Sequence, residues 1–405
     1  MTTVAGPNRD VIDMTFFQDP YTAYERLRVA GPVRPMRTPD GVDVWMITQY
    51  EEAKQALADA RFTKDFVAGP EIRTQRNTQV SAHESHVDIL TRHLLFADPP
   101  DHTRLRALSA KALTRRRVES LRPEIVRIVD DLLDRVAGER EVDLLRVLSF
   151  PMSMAVTCRL LGIPPADGDA FRRWTETIFT ANDPARLNEA VYAVDQLLVS
   201  AIAAKRIDPA DDLITALINV REHGDRLSDR EIVSTCVLMF VAGYETTACM
   251  VGNAVLALLE HPDKLAELQA DPSLLPDAVD ELLRFDGPVN VATLRRTTTD
   301  VRIGDATIPK GHFALISLIS VNRVGTKFPE PTQLDFTRPQ GDSLVFGHGI
   351  HYCLGAPLSR VEIEVALGRL LARFPHLSLA RPPDTLRWRD SLLVRGLTAL
   401  PIWLY

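Results

Sequence analysis

The most apolar long stretch of the chain covers residues 232–259 and is apolar on nearly every side of a helix. A helix of that kind crosses the middle of a core rather than lying on a surface. Ser228 and Glu231 stand at capping-box spacing just before it, with Asp229 in the first turn, and Pro262 follows its end near Glu260. At 1.5 Å per residue such a helix spans roughly 48 Å, the width of a domain. Gly243, Glu245, Thr246, Thr247, Gly252 and Asn253 interrupt the apolar run. It therefore reads as a buried helix and not as a membrane span.

Residues 101–268 show helical periodicity almost throughout. Pro276 opens a further helix that ends near Phe285, and a final one begins just past Cys353 and reaches about Ala372. Shorter alternating runs predict strands. Residues 44–47 follow the turn residues Pro39, Asp40 and Gly41 as one arm of a hairpin, ahead of a helical pattern at 51–58. Past Pro288, strands are expected at 301–303, 307–308 and 313–318, with two more near 392–393 and 397–403. Residues 67–86 are polar and aperiodic, the pattern of a long lid or binding loop. No repeat, linker or composition break appears. The expected fold is mainly α with small β-sheets, one large domain over residues 1–405.

Composition narrows the function. Of 405 residues, 45% are hydrophobic and 25% charged, and the net charge of -7 lacks the basic excess of a nucleic-acid binder. The N-terminus carries no apolar run of the kind a signal peptide needs. The four cysteines, Cys158, Cys236, Cys249 and Cys353, include no CxxC pair, and three sit in apolar helical surroundings. That usage points to a reducing compartment, the cytoplasm.

Cys353 is different. It lies in FGHGIHYCLG, residues 346–355, among Gly347, Gly349 and Gly355 and two residues after His351. At a helix N-terminus, outward backbone N–H groups and the helix dipole favour a thiolate. The glycines leave room for a flat ligand to approach, and Phe346 can shield the sulfur. Three readings compete on these residues alone. A buried structural cysteine leaves the glycines unexplained. A zinc site lacks two of its four ligands. A nucleophile has a base in His351 but no visible oxyanion or orienting group.

The pattern Phe346-Gly347-x-Gly349-x-His351-x-Cys353-x-Gly355, closing on Leu358-Ser359-Arg360, resembles the haem-binding loop of the cytochrome P-450 superfamily, with Ser359 in place of the usual alanine. The resemblance implies that the Cys353 thiolate is the axial ligand of the iron in haem b. It extends to Glu281 and Arg284, which match the ExxR motif, and to Arg338 as third member of that structural network. It extends also to residues 97–106, the start of a helix carrying His102 and Arg106. By resemblance, His102, Arg106, Arg295 and His351 contact the haem propionates, with Arg295 preferred to Arg296 by its spacing from Asp300. Residues 242–247 match the oxygen-activation motif, where Ala242 and Gly243 border the haem and Glu245 and Thr246 form the proton-delivery pair. Thr246 can also bond the carbonyl of residue 242 and open the helix locally. At 321–331 the usual Asp-Pro is replaced by Val324-Gly325.

The likeness covers nearly the whole chain and is closest in texture to actinomycete enzymes of macrolide and other secondary metabolism. It implies a monooxygenase that places one atom of O2 in a small apolar substrate by hydroxylation or epoxidation. Electrons would come from NAD(P)H through a ferredoxin and its reductase, since no residues remain for a fused reductase. Arg115, Arg116 and Arg117 form a basic run that can steer an acidic ferredoxin. Leu238, Ala242, Val291, Thr293 and Leu393 are the expected lining of the substrate pocket. A monomer is expected, with no nucleic-acid or membrane partner. A peroxide-driven haem enzyme and a non-catalytic ligand-binding haem protein are the alternatives.

Overall fold

The computed structural model describes residues 10–65, 88–164 and 183–405, with residues 168, 170, 171, 173, 174, 177 and 178 between them. The expected loop at 67–86 lies outside the described residues. Thirteen α-helices run in chain order among the described residues. They are α1 Met14–Gln18, α2 Pro20–Ala30, α3 Tyr50–Ala58, α4 Asp101–Ala112, α5 Arg115–Asp134, α6 Phe150–Leu161 and α7 Pro184–Ile207. These are followed by α8 Leu213–Asn219, α9 Asp229–Glu260, α10 Pro262–Ala270, α11 Leu275–Asp286, α12 Leu318–Val321 and α13 Ala356–Arg373.

The central element is α9, 32 residues long, with the expected capping box: Ser228 Oγ accepts from the Glu231 backbone, and the Glu231 carboxylate accepts from the Ser228 N–H at 2.8 Å. It packs on α6, α11 and α13, and residues from Ile232 to Leu258 are mostly buried. By length and composition α9 could span a membrane, but two-thirds of its most apolar window is buried in the protein.

Six strands form the main sheet: β1 Asp10–Val11, β2 Val33–Arg37, β3 Asp43–Ile47, β4 Phe62–Thr63, β6 Arg295–Thr297 and β9 Phe313–Ile316. Their order is β1-β2-β3-β9-β6-β4. The β2–β3 hairpin turns at Gly41, whose φ of 85° needs no side chain. β3 then pairs in parallel with β9, Trp45 opposite Ala314, so the N-terminal hairpin and a much later strand share one sheet. β5 Glu141–Asp143 joins β10 Ser378–Leu379 and β11 Pro401–Trp403 in a second sheet, and β7 Val301–Ile303 pairs with β8 Ala306–Ile308.

Four expectations change. Residues 392–393 form no strand; Val394 makes only an isolated bridge to Val289. The expected strand at 397–403 contracts to 401–403, and that at 313–318 stops at Ile316 because Leu318 starts α12, capped by Ser317. The helical stretch from 101 is broken by β5, whose three residues pair with the last strand of the chain.

Glu362 on α13 is 2% exposed, and its Oε2 has no hydrogen-bond partner. Burial pushes its carboxyl well above the usual range, so the folded protein keeps it protonated. The unfolded chain ionises it at about pH 4.3. Its stability contribution is whole below that pH and is lost as pH climbs toward the raised folded value. Glu362→Gln cannot ionise. Its thermal midpoint relative to the parent should therefore rise progressively from pH 5 to pH 8, as followed by circular dichroism.

Candidate functional site

Residues 344–356 form a tight loop ahead of α13. The Cys353 N–H donates to the Phe346 carbonyl at 2.9 Å, the Gly347 N–H to Leu344 at 2.8 Å, and the Tyr352 N–H to Gly349 at 3.1 Å. Gly347 and Gly349 hold φ of 77° and 75°, the left-handed region. A Cβ on Gly349 would stand 3.0 Å from the Leu57 carbonyl and 3.2 Å from Ala58 Cα. The glycines thus serve first the loop's own backbone and its packing on the end of α3. The expectation that all three clear space for a ligand is corrected for Gly349. On Gly347 and Gly355 a Cβ would meet only atoms 3.9–4.0 Å away.

Cys353 keeps an accessible face. Protein packed behind it nevertheless pushes its free thiol up from the ordinary value. The backbone N–H groups of Gly355 and Ala356 pull the other way, as do the Arg106 and Arg360 guanidiniums. The expected lowering by the helix end is present, but burial outweighs it. Phe346 is half-buried, with the Arg360 guanidinium 4.6 Å from its ring centre, and Arg360 Nε pairs with Asp280 Oδ1 at 2.7 Å.

What carries this loop is a buried ion network. Glu281 and Arg284 are each about 2% exposed and pair doubly, Nε to Oε2 at 2.7 Å and Nη2 to Oε1 at 2.8 Å. Arg338 Nε adds a contact to Oε1 at 3.2 Å, and the Asp335 N–H donates to the same oxygen at 3.1 Å. Arg284 also donates to the carbonyls of Asn322, Pro331 and Gln333. Every nitrogen of its guanidinium has a partner, the condition under which a buried pair is tolerated. Asn322 Oδ1 in turn accepts from the Leu344 N–H at 2.8 Å, which ties the network to the loop.

Basic side chains gather on one side of the loop. The rings of His102 and His351 meet at a tilt of 58° with centres 4.3 Å apart. Arg295 is 3% exposed and donates to the Ala56 and Leu57 carbonyls, while Arg296, the next residue of β6, is only half-buried. Lys64, 2% exposed at the end of β4, joins them. It carries no periodicity or motif signal; only the β4–β6 pairing, Thr63 opposite Arg296, brings it there. Burial, then Arg295, drives the Lys64 amine well down. Burial and then Lys64 push His351 down to about 2, and burial brings Arg295 to about 10. Arg106 is also lowered by burial, and His102 by burial and then Arg106. The opposing carboxylate is Asp98, which accepts from Thr63 Oγ1 and the Lys64 N–H.

Four buried nitrogens in this cluster lack any hydrogen-bond partner: both of His102, Nδ1 of His351 and Nε of Arg295. Buried polar atoms are rarely left so. Crowded basic side chains, driven toward neutrality and left with unpartnered nitrogens, fit a bound anionic group that would recharge them, and a soft thiol with an accessible face fits a metal ligand. A haem, with two propionates and an iron, matches both features.

On α9 the Thr246 hydroxyl donates to the Ala242 carbonyl at 2.6 Å, as expected, yet the helix continues unbroken. Ser153 Oγ donates to the carbonyls of Gly243 and Tyr244. Ala242 is exposed in the middle of this otherwise buried helix, and Glu245 pairs with Arg389. Sequence reasoning missed Arg389, which carries no motif. Of the expected pocket lining, Leu238 is buried one turn before Ala242, Thr293 is half-buried and Leu393 exposed. Val291 is a correction: it is 2% exposed and packs into the N-terminal core with Ile12, Phe16 and Leu315. Arg117 is a second. It pairs with Asp211 and the Asp212 carbonyl, leaving Arg115 and Arg116 facing solvent.

The family model described as Cytochrome P450 matches residues 177–400. The chain is 46% identical over 402 residues to Cytochrome P450 107B1 of Saccharopolyspora erythraea, covering 99% of each. It is 40% identical to the cytochrome P450 monooxygenase PikC of Streptomyces venezuelae, covering 99% of this chain and 95% of that one. Among solved structures, the tirandamycin C-bound P450 monooxygenase TamI superimposes with a TM-score of 0.88 at 42% identity, covering 98% and 100%.

Gly349→Ala should cost about 2 kcal/mol, from left-handed strain plus the contact with α3. Denaturant unfolding of the two proteins measures the difference.

Proposed function

The chain belongs to the cytochrome P450 family and is a P450 monooxygenase, and from that premise we propose how its residues divide the work. Cys353 holds the iron of haem b. His102, Arg106, Arg295 and His351 hold the propionates, and Phe346, Gly347, Gly355, Ala242 and Gly243 border the ring. The observation that carries this reading is the cluster of unpartnered buried donors beside an accessible thiol. When bound, the haem supplies activation of O2, and the thiolate favours cleavage of the O–O bond.

The chain's own part is to bind, orient and meter protons. Ala242 lies exposed beside Glu245 and Thr246, so the three face the substrate space. Glu245 takes up a proton from solvent, and Thr246 Oγ1 passes it inward. Thr246 donates to the Ala242 carbonyl at rest, so its lone pairs remain open to accept. Leu238, Ala242, Thr293 and Leu393 form the lining, which suits an apolar substrate.

Relatives named for polyketide biosynthesis and for erythronolide and mycinamicin oxidation support a macrolide- or polyketide-like substrate, oxidised by hydroxylation or epoxidation. Electrons arrive from NAD(P)H by way of a ferredoxin and its reductase. The exposed Arg115 and Arg116 begin α5, which packs on α13, the helix after Cys353. That placement supports docking of an acidic ferredoxin on the cysteine side. The protein works as a cytoplasmic monomer, one haem domain.

Cys353→Ser should abolish the red-shifted absorption of the reduced carbon-monoxide adduct; a retained red shift would remove Cys353 as the ligand. Thr246→Ala should lower product formed per NAD(P)H and raise hydrogen peroxide. Coupling equal to the parent would refute the proton role.

A further inference from the structure

Glu245 and Cys249 stand one turn apart on α9, and Arg389 reaches both. Arg389 Nη2 lies 2.8 Å from Glu245 Oε1, with the two side chains 35% and 27% exposed. The Arg389 backbone is fixed by its N–H donating to the Gly396 carbonyl at 2.9 Å, and its guanidinium lies 5.8 Å from the Phe150 ring centre. Gly396 is itself pressed against Cys249, where a Cβ would meet Sγ at 2.4 Å. The segment that carries Arg389 is therefore locked to the same face of α9 that carries Glu245.

Arg389 also forms part of a small cleft of about 10 Å³, shared with Asn290, Trp388, Ser391 and Arg395. That is about the room one water molecule needs. The buried Arg395 Nη1 has no partner, a polar group suited to hold such a water. Arg389 thus lines a water-sized cleft, with Phe17 and Pro20 also on its wall, and pairs with the acid on α9.

Resting on the proton-delivery reading of Glu245, we propose that Arg389 is a positioning residue for proton supply. It holds the Glu245 carboxylate by Oε1 one residue before Thr246, on a partly exposed face that solvent water reaches. The transfer balances simply: a proton moves from solvent water to the partly exposed Glu245 carboxylate, and hydroxide returns to bulk solvent. No bond is made from Glu245 Oε2 to another group among the described residues, so that oxygen is the one that carries the proton onward. The ion pair is half in water, so its contribution to stability is small, and its value lies in geometry.

The test needs no substrate. With NAD(P)H, a ferredoxin and its reductase as donors, O2 consumed by the holoenzyme divides between hydrogen peroxide and water, and proton supply sets the division. Arg389→Ala should raise the peroxide share roughly threefold, short of the loss on removing a proton donor outright. It should also enlarge the solvent deuterium isotope effect, with the reduced carbon-monoxide spectrum unchanged. Arg389→Lys should restore most of both. Glu245→Gln should show the larger effect, and adding Arg389→Ala to it should change nothing more. If Glu245→Gln shifts the division and Arg389→Ala does not, the positioning role is overturned and the relay stands. If neither shifts it, the relay reading itself has failed. A change in Arg389→Ala that lysine does not restore, or that comes with a lost spectrum, assigns Arg389 to the fold alone and overturns the inference.

Discussion

The geometry of the site rests on one buried carboxylate. Glu281 accepts from two guanidiniums and a backbone N–H while almost wholly out of water. Arg284 passes that constraint on to the irregular chain between α12 and the cysteine loop by donating to three of its carbonyls. Such chain has no ladder of its own, so its backbone groups need partners from elsewhere. Asn322 completes the connection by accepting from Leu344 at the start of the loop. Removing either charge would strand the other in a low-dielectric interior, a loss of about 3–5 kcal/mol.

The basic cluster is held on different terms. Its members come from the end of β4, α4, β6 and the cysteine loop, and they repel one another across a buried space. Asp98 offsets part of that repulsion and at the same time ties the end of β4 to the approach to α4. The arrangement is costly alone and is relieved by an anion that uses the idle donors. The unmet hydrogen bonds of this cluster are what the proposed propionate contacts would use.

Much of this was legible in the chain itself. The capping box and unbroken apolar run of α9 are local signals, and the structure places them as read. The Glu281, Arg284 and Arg338 set was readable because two of its members share a helix face and the third lies in a matching segment. Lys64, Arg389 and β5 were not readable. Lys64 is a lone lysine in a polar-looking turn, and Arg389 is one arginine among three within residues 381–389. Each acquires its role only from a partner more than a hundred residues away. Val291 failed for a related reason: alternation says that one face is buried but not which of two cavities or cores it meets. The cysteine's acidity was misjudged because the helix end is visible in sequence, whereas the mass of protein behind the sulfur is not.

The parallel pairing of β3 with β9 has a consequence for the life of the chain before it is finished. Residues 44–47 leave the ribosome long before residues 313–316, their partners, have been made. At about 5–20 residues per second the wait is tens of seconds or less. Throughout it the hairpin shows an open edge, the kind of surface that pairs with other chains. The cysteine loop packs on the end of α3 from still later in the sequence. The cysteine loop is therefore seated only when nearly the whole polypeptide has emerged, so any group it holds is acquired late. Slow translation or scarce cofactor would lengthen the same exposed interval, so yield of folded enzyme in a heterologous host should track cofactor supply as much as expression level.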